Sequence, residues 1–154
     1  MKELIEKLTE LSKTVSTMES CTGGGVANAI TNIEGASDVF KFSAVTYSNE
    51  FKIKMGVDSK IIDKFSVYSF ETANEMSKNI SEFTSSDYGI GITGKLNKVD
   101  KNNLYGEDNV VFISVYDKEH DKFYTSKVKA IKASRKENKE LVIEKIITML
   151  LDIL

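Results

Sequence analysis

Thr14-Val15-Ser16-Thr17-Met18-Glu19-Ser20-Cys21-Thr22-Gly23-Gly24-Gly25-Val26-Ala27-Asn28-Ala29-Ile30 reads as a strand, a tight turn and a helix in immediate succession. Residues 14–19 carry the strand, and the small residues 20–25 make the turn. Thr22 is placed to N-cap a helix that carries Val26, Ala27, Ala29 and Ile30. Upstream, Leu4, Ile5, Leu8 and Leu11 recur at helical spacing, so residues 2–12 form an amphipathic helix. Downstream, Phe40, Phe42 and Ala44 alternate within a second strand over 38–47. Ser48 caps a short helix that holds Phe51, Ile53 and Met55 and closes at Gly56. Asp58 starts another, which ends near Phe65. Ser69 opens a longer one with Ala73, Met76, Ile80 and Phe83 on one face. Residues 88–92 make a third strand that ends at Thr93-Gly94, followed by a polar loop over 95–107.

The apolar run 110–115 reads as a central strand. Residues 122–131 return as an edge strand, blunted by Lys127 and Lys129. The last helix runs from about Ser134, and its tail is apolar almost all round, from Val142 to Leu154. Such a helix is wrapped by its own domain or packed against another subunit. Together these elements predict an α/β fold: a three-layer α/β/α sandwich with a mixed sheet, one domain over residues 1–154. Ligands in such folds gather beyond the carboxyl ends of the strands. Three clusters fall there: Ser20 to Gly25, Tyr47 to Lys52, and Thr93-Gly94.

Composition narrows the function. The 154 residues are 41% hydrophobic and 29% charged, with a net charge of −2, so neither nucleic acid nor an anionic membrane is an expected partner. One cysteine makes no internal disulfide, and no Cys/His cluster offers a metal site. No apolar run nears the ~20 residues that cross a bilayer, and the N-terminus lacks a signal-peptide core. A cytoplasmic protein is the expectation. Arg135 is the sole arginine in a lysine-rich chain, which suggests a place that needs a planar fork for phosphate or carboxylate.

Ser20 sits where a hydroxyl can project into a cleft, beside backbone N–H groups of Thr22 to Gly24 that can bind an anion or an oxyanion. The same residues also suit a simple helix cap and turn. A nucleophilic serine needs a base. The single histidine, His120, lies in the charged turn 117–121, so a Ser-His-Asp triad is not expected. Lysine or tyrosine remains. Tyr47 ends a strand, and Lys52 follows in the next helix, where the macrodipole and burial both disfavour a charged amine. A neutral lysine is what a Ser-Lys dyad requires, with Tyr47 relaying the proton or orienting the serine. Cys21 competes as nucleophile, because a thiol at a helix N-terminus has a lowered pKa.

Glu19-Ser20-Cys21-Thr22-Gly23-Gly24, followed by Val45-Thr46-Tyr47-Ser48-Asn49-Glu50 with Lys52 and Met55-Gly56-Val57, resembles the CinA C-terminal domain family, nicotinamide-nucleotide amidohydrolases associated with competence and damage-inducible proteins. The resemblance spans essentially the whole chain. It implies deamidation of nicotinamide mononucleotide (NMN) to nicotinic acid mononucleotide and ammonia, with no metal and no cofactor. It also implies an α/β/α fold, a homodimer, and the stand-alone form without the N-terminal domain of some members. Residue by residue, Ser20 matches the nucleophile, Lys52 the general base and Tyr47 the assisting tyrosine. Thr22, Gly23 and Gly24 match the substrate-side turn, and Arg135 an arginine opening the last helix. Thr93 and Gly94 begin the loop that helps wall the active site, and here the chain departs from the family. Lys95-Leu96-Asn97-Lys98-Val99-Asp100 replaces an Ala-Gly-Pro and paired glycines. Lys95 or Lys98 would then serve a phosphate, and Lys139 stands at a second basic position. The departure leaves two alternatives to NMN deamidation: a serine amidase for another small amide, and a nucleotide-binding module without turnover.

Overall fold

The structure, a computed structural model, describes residues 1–97 and 101–154, so Lys98 lies outside the described residues. Helix α1 (Lys2–Glu10) leads to strand β1 (Val15–Glu19), which runs into helix α2 (Gly25–Thr31). A single 3₁₀ turn (Ala36–Asp38) precedes β2 (Phe40–Val45). Helices α3 (Asn49–Lys54), α4 (Ser59–Phe65) and α5 (Phe70–Thr84) follow. Then come β3 (Tyr88–Gly94), β4 (Val110–Asp117), β5 (Lys122–Lys129) and α6 (Arg135–Ile153). The side chains of Ser48, Asp58, Ser69 and Ser134 each accept a backbone N–H at the start of a helix, where the sequence places them.

The five strands form one mixed sheet in the order β2-β1-β3-β4-β5. β1 is parallel to β2 and to β3, while β4 and β5 join antiparallel. One face carries α1, α2 and α6, whose Leu4, Leu8, Val26, Ile30, Val142 and Ile146 bury against Val15, Ile90, Ile92 and Ile113. The other carries α5, with Met76 and Ile80 against Met18 and Val57. The fold is thus the expected α/β/α sandwich. Glycines set the spacing of that second layer. A Cβ at Gly89 would stand 1.9 Å from the Ser77 carbonyl, and one at Gly91 2.2 Å from that of Ala73. Helix α5 therefore lies directly on the β3 backbone.

Three particulars differ from the sequence pattern. β1 is buried along its whole length although it reads Val-Ser-Thr-Met-Glu. Its polar side chains are satisfied internally: Ser16 Oγ lies 2.6 Å from Ser86 Oγ, and the Thr17 hydroxyl donates to Ser43 Oγ at 2.6 Å. Phe42 of β2 is 40% exposed rather than facing the core with Ala44, because β2 is an edge strand and Phe42 meets Phe83 on the surface. The apolar tail of α6 is covered by this chain, with Val142, Ile146, Met149 and Leu150 in the core and Ile143, Ile147 and Leu151 packed against it. Ile143, Ile147, Leu151, Ile153 and Leu154 stay partly exposed along the same helix. Among the described residues no helix is long and apolar enough to cross a membrane.

Candidate active site

A cavity of about 510 Å³ opens beyond the carboxyl ends of the parallel strands. Ser20, Cys21, Tyr47, Asn49, Lys52 and Tyr68 line one part of it, and Gly94, Lys95, Leu96 and Arg135 another. Lys52, Lys95 and Arg135 bring three basic side chains to this wall in a chain of net charge −2; Lys95 is paired with Asp108, and no carboxylate lies among the described lining residues. Such a cavity favours an anionic ligand.

Ser20 leaves the end of β1 only 6% exposed. Lys52 is the one buried residue of α3 and is 1% exposed. Its Nζ reaches across to Ser20 Oγ at 3.0 Å and donates to the Thr46 carbonyl at 2.7 Å. The two residues that the sequence pairs over 32 positions thus meet within hydrogen-bond reach. The helix-dipole reason for the pairing does not hold, because α3 has six residues and Lys52 falls in its last turn, where a cation is favoured.

The turn after Ser20 is built differently from the expectation. Gly24, in the left-handed conformation, is the N-cap of α2 and makes no side-chain cap. The buried Glu19 carboxylate caps the helix instead. Its Oε2 accepts from Gly24 N at 3.0 Å, Val26 N at 3.1 Å and the Thr22 hydroxyl at 2.7 Å, and its Oε1 from Ala27 N at 2.9 Å. The Gly23 N–H donates to the Ser20 carbonyl at 3.0 Å. Thr22, Gly23 and Gly24 are absent from the described cavity lining, and the Thr22 hydroxyl and the Gly23 and Gly24 N–H groups are taken up by the protein. Lys139 Nζ sits near Gly23, 3.3 Å from where a Cβ would be. A carboxylate directly before a strand-to-helix turn, at the positive end of a helix, is the sequence signal that points to Glu19.

Cys21 is buried, and loss of water pushes its thiol up to about 12, against weaker opposite pulls from Lys52, Arg135 and Lys139. The expected lowering at a helix N-terminus is outweighed by burial, so Cys21 holds its proton at neutral pH. His120 lies beside Asp117, at the opposite end of the sheet, with Nδ1 2.7 Å from Oδ2. It takes no part in the cavity.

Tyr47 is 65% exposed at the mouth, where its hydroxyl accepts from Arg135 Nη2 at 3.4 Å. Arg135 also donates through Nη1 to the Leu96 carbonyl. A capping box between Ser134 and Glu137 fixes the start of α6 beneath it. Buried Asn138 donates to Asn97 Oδ1 at 2.8 Å, and Asn97 Nδ2 donates to the carbonyls of Lys132 and Ala133. This asparagine latch holds residues 95–97 against α6. Lys95 Nζ donates to Asp108 Oδ1 at 3.0 Å and lies 5.1 Å from the centre of the Tyr68 ring. Thr93 is not among the lining residues; its hydroxyl donates at 2.8 Å to the carbonyl of Val67, which is. Of the expected contact residues, Gly94 and Arg135 line the cavity and Thr93 supports it through Val67.

Fold and site together define a class: an α/β/α domain with a buried serine-lysine pair in a cation-lined cleft at the strand ends. The chain belongs to the CinA C-terminal domain family, whose model matches residues 1–154. A CinA-like protein of Endomicrobium trichonymphae is 49% identical over 88 residues, 56% of this chain and 21% of that protein. A CinA-like protein of Flavobacterium psychrophilum is 40% identical over 111 residues, 70% of this chain and 26% of that protein. The matched segment thus spans about a quarter of those curated relatives. The structure of a competence/damage inducible protein from Agrobacterium tumefaciens superposes with a TM-score of 0.87 at 25% identity, over 97% of this chain and 90% of that one. A CinA superfamily protein from Escherichia coli shares the fold with a TM-score of 0.90 at 23% identity, over 99% and 87%.

Proposed function

We propose that this domain is a serine amidase that converts nicotinamide mononucleotide and water to nicotinic acid mononucleotide and ammonia. The observation that carries the proposal is the 3.0 Å approach of Lys52 Nζ to Ser20 Oγ inside a cavity lined by further cations. With Nζ unprotonated, its lone pair accepts the Ser20 proton while Oγ attacks the carboxamide carbon. The proton then passes to the departing nitrogen, and ammonia leaves an ester on Ser20. Water, deprotonated by the same amine, releases the acid product and regenerates Ser20. The N–H groups of Cys21 and Thr22, which donate to no oxygen among the described residues, are available to the oxyanion. Arg135 complements a phosphate, and Tyr47 shapes the mouth beside it.

The test is ammonia release from NMN by the purified protein, beside Ser20→Ala and Lys52→Ala. Turnover by the wild type with at least ~100-fold loss in each variant sustains the assignment. A second possibility, an amidase for another small amide, draws on the wall at 95–97, where the asparagine latch and the Lys95–Asp108 pair stand in place of the glycine-rich loop. A panel of amides with and without phosphate separates the two. Binding of NMN without turnover of any amide points instead to a nucleotide-binding module.

A further inference from the structure

We propose that Glu19 is a positioning residue for the serine-lysine pair, holding both partners from a single buried point. This inference rests on Ser20 acting as the nucleophile. The Glu19 carbonyl accepts the Thr46 N–H at 2.8 Å, the Thr46 carbonyl accepts Lys52 Nζ at 2.7 Å, and Nζ meets Ser20 Oγ at 3.0 Å. These three hydrogen bonds close a circuit that begins and ends at the Glu19–Ser20 peptide. The other end of the residue fixes the turn beyond Ser20. Its carboxylate is surrounded by three backbone N–H groups and the Thr22 hydroxyl, with the Thr17 hydroxyl 3.4 Å away.

The three backbone N–H groups can only donate, and a carboxylate offers them only acceptors. Replacing it by the equal-sized amide turns an NH2 group toward N–H donors, which forces the turn to move. The circuit then loses its geometry even though neither reacting residue has changed. The carboxylate also absorbs the Gly24, Val26 and Ala27 N–H groups, which ties the start of α2 to the end of β1 beside the serine.

The experiment is the rate at which a fluorophosphonate labels Ser20, followed by intact mass, in wild type, Glu19→Gln and Thr22→Val. Labelling forms an Oγ–P bond, breaks P–F, sends the serine proton to Lys52 and releases fluoride. It needs the dyad but no particular substrate. Glu19→Gln is expected to label roughly 10²-fold more slowly per folded molecule, the scale of a misplaced reacting group. Thr22→Val keeps the carboxylate and loses one of its donors. It is expected to label several-fold more slowly with little change in melting temperature, and it decides the matter should Glu19→Gln not fold. Equal labelling of wild type and the folded variants overturns the positioning role alone. An unlabelled, folded wild type overturns the nucleophilic Ser20 and this inference with it. Labelling of Ser20 alongside inert NMN leaves the positioning role in force and removes only the substrate.

Discussion

The floor and the mouth of the cavity are built on opposite plans. The floor is Ser20 and Lys52, nearly inaccessible to water and held by backbone bonds from the ends of β1 and β2. The mouth is Tyr47, Arg135 and the 95–97 wall, where side chains carry most of the contacts and Tyr47 stands in solvent. Backbone anchoring fixes geometry whatever the neighbouring side chains become. A wall made of side chains is rewritten by substitution. In the proposed enzyme, the chemistry therefore belongs to the floor and the choice of substrate to the mouth.

The comparison breaks first at the floor. Ser20→Ala and Lys52→Met are expected to lower kcat by at least ~100-fold while NMN binding, followed by calorimetry, stays near the wild-type value. A large loss of affinity in either would move these residues to the mouth. Arg135→Ala is the converse: KM for NMN rises about tenfold with kcat little altered, the loss of one charge-assisted contact. The same substitution measured with an uncharged amide that lacks the phosphate should show a much smaller effect. An equal penalty on both amides would mean that Arg135 braces the wall through Leu96 instead of reading charge.

The Lys95–Asp108 pair tests the wall by stability. The Lys95 side chain is 1% exposed and its partner 54%, so the two truncations are unequal. Asp108→Ala strands a buried ammonium and is expected to cost about 1–2 kcal/mol in denaturant unfolding, while Lys95→Met leaves a carboxylate that water can solvate and costs less. Reversal of that order would show that the lysine stem, packed on Tyr68, matters more than its charge. The smallest effect concerns Cys21. Native protein should resist iodoacetamide near pH 8 although the thiol borders the cavity, because its pKa lies at about 12. The folded state keeps this proton where the unfolded chain, titrating near 9, has lost it. The contribution to stability is thus whole below about pH 9 and is lost as the pH rises toward 12. Rapid alkylation of the folded protein at pH 8 would contradict that burial.

The floor was legible in the sequence and its support was not. Strand, turn and helix around Ser20, and the caps at Ser48 and Ser69, follow from local patterns that the chain obeys. Ser20 and Lys52 stand at the ends of elements, where the topology of an α/β domain brings them to one side. Glu19 is signalled only by its place before the strand-to-helix turn, and its four donors, all within eight residues, converge on it only once that turn is folded. The asparagine latch carries no local signal at all, since Asn97 and Asn138 lie 41 residues apart. Cys21 follows the opposite course. Its helix-terminal position suggested a reactive thiol, and desolvation, which no local pattern reports, prevailed.

The pairing of β1 with β3 also bears on how the molecule assembles. Val15 lies opposite Tyr88, whereas β4 and β5 meet through a four-residue turn. Closing a long chain segment costs more entropy than closing a short one, so the hairpin has the head start in folding. Ser20 and Lys52 stand on the slow side of that divide, Ser20 at the end of β1 and Lys52 in the helix after β2, and these strands join only through long crossovers. In refolding from denaturant, β-structure should therefore return before the serine becomes reactive, and a pulse of fluorophosphonate at successive times would date the moment at which a chain with its sheet begun becomes a chain with a working nucleophile.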